Sequence, residues 1–223
     1  MYDHALRHPK KAILLPLAKK IPASPNQLTA IGLVFGLTAA FCSGFALLRV
    51  ALFFWTVNRI LDGLDGEVAR AKNLQTDMGG YLDILADLLV YAAIPIGLAC
   101  SQNNTIVWLS LALMLASFYL NVGSWMFLSS ILEKHGQGAK ENGEFTTVAM
   151  PRGLIEGGET ILFFTLFLLY PAHLTLLFTS FSMLTFLGAG LRVKWAMNIL
   201  PQLEKASKTD SDLSTYSISD NIS

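Results

Sequence analysis

The stretch Asp62-Gly63-Leu64-Asp65-Gly66-Glu67-Val68-Ala69-Arg70, followed after eight residues by Gly79-Gly80-Tyr81-Leu82-Asp83-Ile84-Leu85-Ala86-Asp87, puts four aspartates into apolar surroundings. Helical geometry sets Asp62, Gly66, Ala69 and Arg70 at i, i+4, i+7 and i+8, with Asp65 at i+3, along one face. Gly79, Asp83 and Asp87 recur in the same way on the next segment. The connection between the two is short, so antiparallel neighbouring helices are expected, their acidic faces meeting near one membrane surface.

The rest of the chain says that these helices cross a membrane. Of the 223 residues, 53% are hydrophobic and 14% charged, against a charged fraction of roughly 25% in soluble domains. Apolar stretches of ~20 residues, long enough to cross a bilayer as a helix, recur with short polar breaks at 27–48, 50–72, 77–100, 105–131, 152–170 and 172–198. The expected fold is all-α and polytopic, with six transmembrane helices. Residues 1–22 form a leading juxtamembrane segment, 23–200 the six-helix domain, and 201–223 a polar tail too poor in apolar residues to fold.

Positive charge orients this layout. Arg7, Lys10, Lys11, Lys19 and Lys20 precede the first span, Arg70 and Lys72 follow the second, Lys134, Lys140 and Arg152 flank the fourth connection, and Arg192, Lys194, Lys205 and Lys208 close the chain. With six spans all of these fall on one side, while the opposite connections hold only Arg49. Cytoplasmic termini and a cytoplasmic active side, in a cell inner membrane, are the expectation. Residues 1–21 lack an uninterrupted apolar core and a small-residue cleavage site, unlike a removable signal peptide. Leu6, Ile13, Leu14, Leu17 and Ile21 instead predict an amphipathic interfacial helix, interrupted by Pro9 and Pro16. The zero net charge offers no argument for a nucleic-acid partner.

Four carboxylates drawn together repel one another and are costly in a low-dielectric setting. Hard divalent cations answer that demand with oxygen coordination and positions left open for phosphates, and a pair of ions could clamp a pyrophosphate. Gly66 and Ala69 leave room beside the carboxylates, and Gly79 and Gly80 permit close helix contact. A plainer reading ties the aspartates to Arg59, Arg70 and Lys72 as internal salt bridges, which accounts for one or two of them but not four in register.

The full pattern is an Asp, two residues, Asp-Gly, two residues, Ala-Arg, eight residues, Gly, three residues, Asp, three residues, Asp. In this it resembles the CDP-alcohol phosphatidyltransferases, which transfer a phosphatidyl-type group from a CDP-activated lipid to an alcohol and release CMP. The resemblance implies that Asp62, Asp65 and Asp83 bind the metal, Mg2+ or Mn2+ and two ions in number. It makes Asp87 both a contributor to the metal site and the general base. Gly66, Ala69 and Arg70 would line the CDP portion. The lead-in Ser24-Pro25-Asn26-Gln27-Leu28-Thr29 adds Asn26 and Thr29 as nucleotide contacts, although Ser-Pro-Asn is equally a helix start. Homodimers are usual for the resembled family.

A second polar cluster, Arg152, Glu156 and Glu159 at i, i+4 and i+7, opens the fifth span. Intramembrane charge invites a functional reading, and acidic residues after Pro151 also suit a helix start. If the acceptor carries phosphate, Arg152 is the best candidate to bind it, with Arg192 and Lys194 secondary. Glycerol 3-phosphate or inositol phosphate then becomes the expected acceptor. Serine or another amino alcohol is the alternative with the same chemistry, and a cation transporter the alternative of a different class. The glycine-bearing 133–147 loop reads as a cover for the site or as a simple connector. Cys42 and Cys100 read as buried small-residue packing, and the four tryptophans as packing or interface anchors.

Overall fold

The structure, a computed structural model, describes residues 16, 18–136, 155 and 157–219, with side-chain surroundings up to residue 203 and at 205. Six α-helices are described: α1 (Pro25–Gly44), α2 (Leu48–Lys72), α3 (Asp77–Gln102), α4 (Thr105–Lys134), α5 (Gly157–Leu169) and α6 (Leu174–Ser219), with a short 3-10 turn at Pro171–His173 before the last. No strand occurs among the described residues, in keeping with the all-α expectation.

Among the described residues four stretches are long and apolar enough to cross a bilayer: Pro25–Gly44, Asp77–Gln102, Thr105–Lys134 and Pro171–Leu203. The other two expected spans fall short for different reasons. α2 has ample length, 25 residues, but carries Arg49, Arg59, Asp62, Asp65, Glu67, Arg70 and Lys72. α5 is apolar, but its 13 residues rise only about 20 Å, short of a hydrocarbon core of ~30 Å.

The helix ends follow local chemistry. Ser24 opens α1 with a reciprocal capping box: its hydroxyl accepts the Gln27 amide at 3.3 Å, and the Gln27 side chain accepts the Ser24 amide at 2.9 Å. Pro25 sits where its missing N–H costs nothing. Asn73 ends α2 in the left-handed region, φ 55°, a conformation its short polar side chain tolerates. Three residues later Thr76 caps α3, its hydroxyl accepting the Gly79 amide at 3.0 Å. So tight a turn makes α2 and α3 the expected antiparallel neighbours.

The chain divides into two compact units. The first comprises 1–116 and 155–183, and its core is α1 to α3 with α5 against them. α1 and α3 approach so closely that a Cβ on Gly97 would collide with the carbonyl oxygen of Ala40, and one on Gly36 with the Val90 side chain. Trp55 of α2 stacks on Phe164 of α5, ring centroids 5.5 Å apart, and its indole N–H donates to Thr165 at 3.1 Å. Phe167, Phe178 and Phe181 extend this aromatic cluster. Ala18 is buried with Leu28, Leu64 and Val68, while Lys19 and Lys20 are exposed; the greater part of the expected amphipathic helix lies outside the described residues.

The second unit takes in 117–154 and 184–223. Its buried positions include Leu128, Ser129, Leu132, Thr185, Ala189 and Arg192. α6 continues to Ser219, so most of the tail for which composition predicts no fold is helical here. The segment has no glycine after Gly190, but from Pro201 to Ser219 the weak helix formers Ser, Thr and Asp outnumber Glu, Lys and Ala, and composition does not explain its helix. Both cysteines are free thiols; Cys42 is buried, but Cys100 is exposed, contrary to the expectation that it packs inside.

Candidate active site

Within the first unit one pocket collects all four aspartates of the motif: Thr29, Gly32 and Leu33 from α1, Asn58, Asp62 and Asp65 from α2, and Asp83, Ala86 and Asp87 from α3 line it. α-Helical spacing brings each pair to one face, and the four-residue connection between α2 and α3 brings the faces together. Asp65 is buried, and the other three are half-buried.

The acidic side chains have definite partners. The Thr29 hydroxyl donates to Asp65 Oδ2 at 2.6 Å. The Arg59 guanidinium lies between two carboxylates, Nη2 donating to Asp87 Oδ1 at 2.8 Å and Nη1 reaching Asp62 Oδ2 at 3.5 Å. Nη1 also donates to the Tyr91 hydroxyl at 2.9 Å, and Nε to Asn58 Oδ1 at 2.8 Å. The Asn58 amide in turn donates to the Gly32 carbonyl at 2.9 Å, tying the pocket's floor to α1.

The salt-bridge reading is therefore right for Arg59 but not for the other two cations. Arg70 pairs with Glu67 at 2.9 Å, and Lys72 donates to the Ile21 carbonyl at 2.6 Å. Of the residues expected around a nucleotide, Thr29 lies in the pocket against Asp65. Asn26 is exposed at the start of α1, its Oδ1 3.2 Å from where a Gly79 Cβ would stand. Gly66, Ala69 and Arg70 are not part of the pocket wall; the Arg70 guanidinium lies across Gly66, 3.3 Å from the place of a Cβ there.

Among the described residues no three ligating side chains converge on a point that could hold an ion as they stand. The donor set nevertheless suits a hard divalent cation. The polar lining, Thr29, Asn58 and the four aspartates, offers oxygen with neither sulfur nor imidazole, the chemistry that suits magnesium, calcium or manganese.

Arg192 belongs to the second unit. It is buried there, Nη1 donating to Asn121 Oδ1 at 2.9 Å and to the Ser124 hydroxyl at 2.6 Å, while Lys194 is exposed. Arg152 and Glu156 lie outside the described residues, as does most of the 133–147 loop, and α5 is described only from Gly157. The sequence pattern missed Asn58 and Tyr91. Both carried a signal: Asn58 stands four residues before Asp62 and Tyr91 four after Asp87, each extending an acidic face by one helical turn.

The family model described as CDP-alcohol phosphatidyltransferase matches residues 23–197. Inner membrane protein YnjF of Escherichia coli is 37% identical over 153 residues, 67% of this chain and 71% of its own length. Archaetidylinositol phosphate synthase of Pyrococcus horikoshii is 38% identical over 76 residues, 34% of this chain and 40% of its own. Among solved structures, Mycobacterium tuberculosis phosphatidylinositol phosphate synthase (PgsA1) with CDP-DAG bound has the same fold, with a TM-score of 0.64 and 17% identity over 82% of this chain and 92% of that one. The chain belongs to the CDP-alcohol phosphatidyltransferase family and is a multi-pass membrane enzyme.

Proposed function

We propose that the four-carboxylate pocket transfers a phosphatidyl-type group from a CDP-diacylglycerol-like lipid to a small phosphorylated alcohol, with release of CMP. The observation that carries this reading is the convergence of Asp62, Asp65, Asp83 and Asp87 from two helices on one oxygen-lined pocket. Family membership removes the cation-transporter reading.

Asp62, Asp65 and Asp83, with Asp87, are the residues to hold two divalent ions, which when bound neutralise charge on the pyrophosphate. Asp87 accepts the proton of the acceptor hydroxyl. The acceptor oxygen forms its bond to the lipid-linked phosphorus while the bond from that phosphorus to the CMP oxygen breaks, CMP leaving with the electron pair. Asn26, Thr29, Gly66, Ala69 and Arg70 line the CDP moiety. The glycine leaves the helix backbone approachable there.

Arg192 is a candidate to bind a phosphate on the acceptor, since a guanidinium suits an oxyanion. Arg152 and Lys194 are the further candidates. Inositol phosphate is preferred over glycerol 3-phosphate because the names of the Pyrococcus relative and of PgsA1 both specify a lipid product that carries inositol phosphate. Cytoplasmic termini and active side follow from the lopsided basic residues, an inner-membrane location from the name of YnjF, a six-span layout from counting α2 and α5 as crossings, and a homodimer from the family resemblance.

CMP release by the purified chain tests this reading, with CDP-diacylglycerol, Mg2+ and, separately, inositol phosphate, glycerol 3-phosphate, inositol, serine and choline. Release with inositol phosphate, stopped by EDTA and restored by added Mg2+, is the expected result. Release with serine alone would transfer the chemistry to an amino alcohol. Release with none of the five, from folded protein, would overturn it.

A further inference from the structure

The proposed transfer leaves Arg59 without a task, although its side chain is held on every side beside the pocket. Its side chain is 8% exposed. The guanidinium carbon sits 4.8 Å from the centre of the Trp55 ring and 5.1 Å from that of Tyr91, each contact favourable for a cation over an aromatic face. Asn58 accepts from Nε and the Tyr91 hydroxyl from Nη1. Trp55 is itself fixed by Phe164 and Thr165 of α5. A guanidinium so enclosed cannot swing away when the pocket fills.

Its grip on the carboxylates is equally specific. Asp87 accepts from Arg59 Nη2 at 2.8 Å, while Nη1 of the same guanidinium donates to the Tyr91 hydroxyl at 2.9 Å, so the enclosed fork that holds the carboxylate is itself held by Tyr91. Asp62 shares the same guanidinium from one helical turn away. A permanent positive charge on two carboxylates of an ion site weakens their hold on any other cation, and by linkage removing the charge strengthens it.

We propose that Arg59 is a positioning residue with two effects: it holds Asp87 in register for the acceptor, and its charge, shared by Asp62 and Asp87, keeps divalent ions loosely and reversibly bound. This rests on the reading of the aspartates as ion ligands. Lysine would keep the charge but lose the planar fork that engages Asp87, Tyr91 and Asn58 together. The two effects are therefore separable.

Mn2+ binding to the purified full chain in detergent, followed by the electron paramagnetic resonance signal of the free ion, reads the charge directly. Arg59→Gln should bind Mn2+ about tenfold more tightly than the unaltered chain, and Arg59→Lys within about twofold of it. Both should lose turnover by roughly a hundredfold, the scale of a misplaced catalytic group. Unchanged or weaker Mn2+ binding by folded Arg59→Gln overturns the charge effect, and full turnover by Arg59→Lys overturns the positioning effect. Absence of Mn2+ binding by the unaltered chain instead overturns the ion-site reading underneath. Should Arg59→Gln not fold, Tyr91→Phe carries the test: roughly tenfold slower turnover at unchanged Mn2+ affinity supports the proposal, and unchanged turnover sinks it.

Discussion

The first unit holds its helices together in two opposite ways. Where α1 crosses α3, Gly97 meets the Ala40 backbone and Gly36 the Val90 side chain, and neither contact leaves room for a Cβ. In the pocket formed by α1, α2 and α3, hydrogen bonds from polar side chains join the helices, Thr29 donating to Asp65 and Asn58 to the Gly32 carbonyl. Membrane helices gain little from hydrophobic burial against one another, so close packing of small residues drives their association. The crossing is thus suited to carry stability, and the pocket to carry chemistry that the crossing makes affordable.

This contrast can be broken experimentally. Asp87→Asn should lower CMP release by about 10³-fold, within the range for a lost general base, while leaving resistance to thermal unfolding in detergent unchanged. A matching loss of stability would put Asp87 on the structural side of the comparison. At the crossing, Gly97→Val should cost about 3 kcal/mol of stability, the upper part of the range for overpacking, read as a lower unfolding midpoint. Retained stability there would mean that the two backbones part easily.

Smaller effects sharpen the boundary. Thr29→Val removes the donor to Asp65 at 2.6 Å, a hydrogen bond to a charged group worth about 1.5–3 kcal/mol. It should slow turnover by roughly tenfold, because the carboxylate is left able to shift, and lower the unfolding midpoint in keeping with the lost bond. Asn73→Ala, in the turn between the acidic helices, should cost about 1 kcal/mol by forcing an alanine into the left-handed region. CMP release per folded molecule should stay the same, and a fall would show that the turn sets the separation of the acidic faces.

Sequence periodicity reached the pocket because the information there is local. Asp62 and Asp65 share a face by helical spacing, as do Asp83 and Asp87, and Asn73 to Thr76 leaves the chain no option but to fold back on itself. The start of α1 was legible for the same reason, through Ser24-Pro25-Asn26, whereas the Thr76 cap of α3 came only from the structure. Hydropathy was less decisive for α2, whose charges serve the site, and for α5, whose described part is short. The exposed Cys100 shows the limit of reading burial from apolar neighbours in a chain whose outer surface is itself apolar.

By itself the sequence determined an all-α membrane chain, a two-helix acidic constellation and its family, because spacing along a helix and the length of a turn are properties of neighbouring residues. Only the tertiary structure decided which cation enters the acidic pocket. Arg59, Arg70 and Lys72 all lie on the same helix within reach of carboxylates, yet Arg59 is drawn in between Trp55 and Tyr91, Arg70 turns to Glu67, and Lys72 reaches the Ile21 carbonyl. That choice depends on how α1, α3 and α5 pack around α2, and no spacing along one helix contains it.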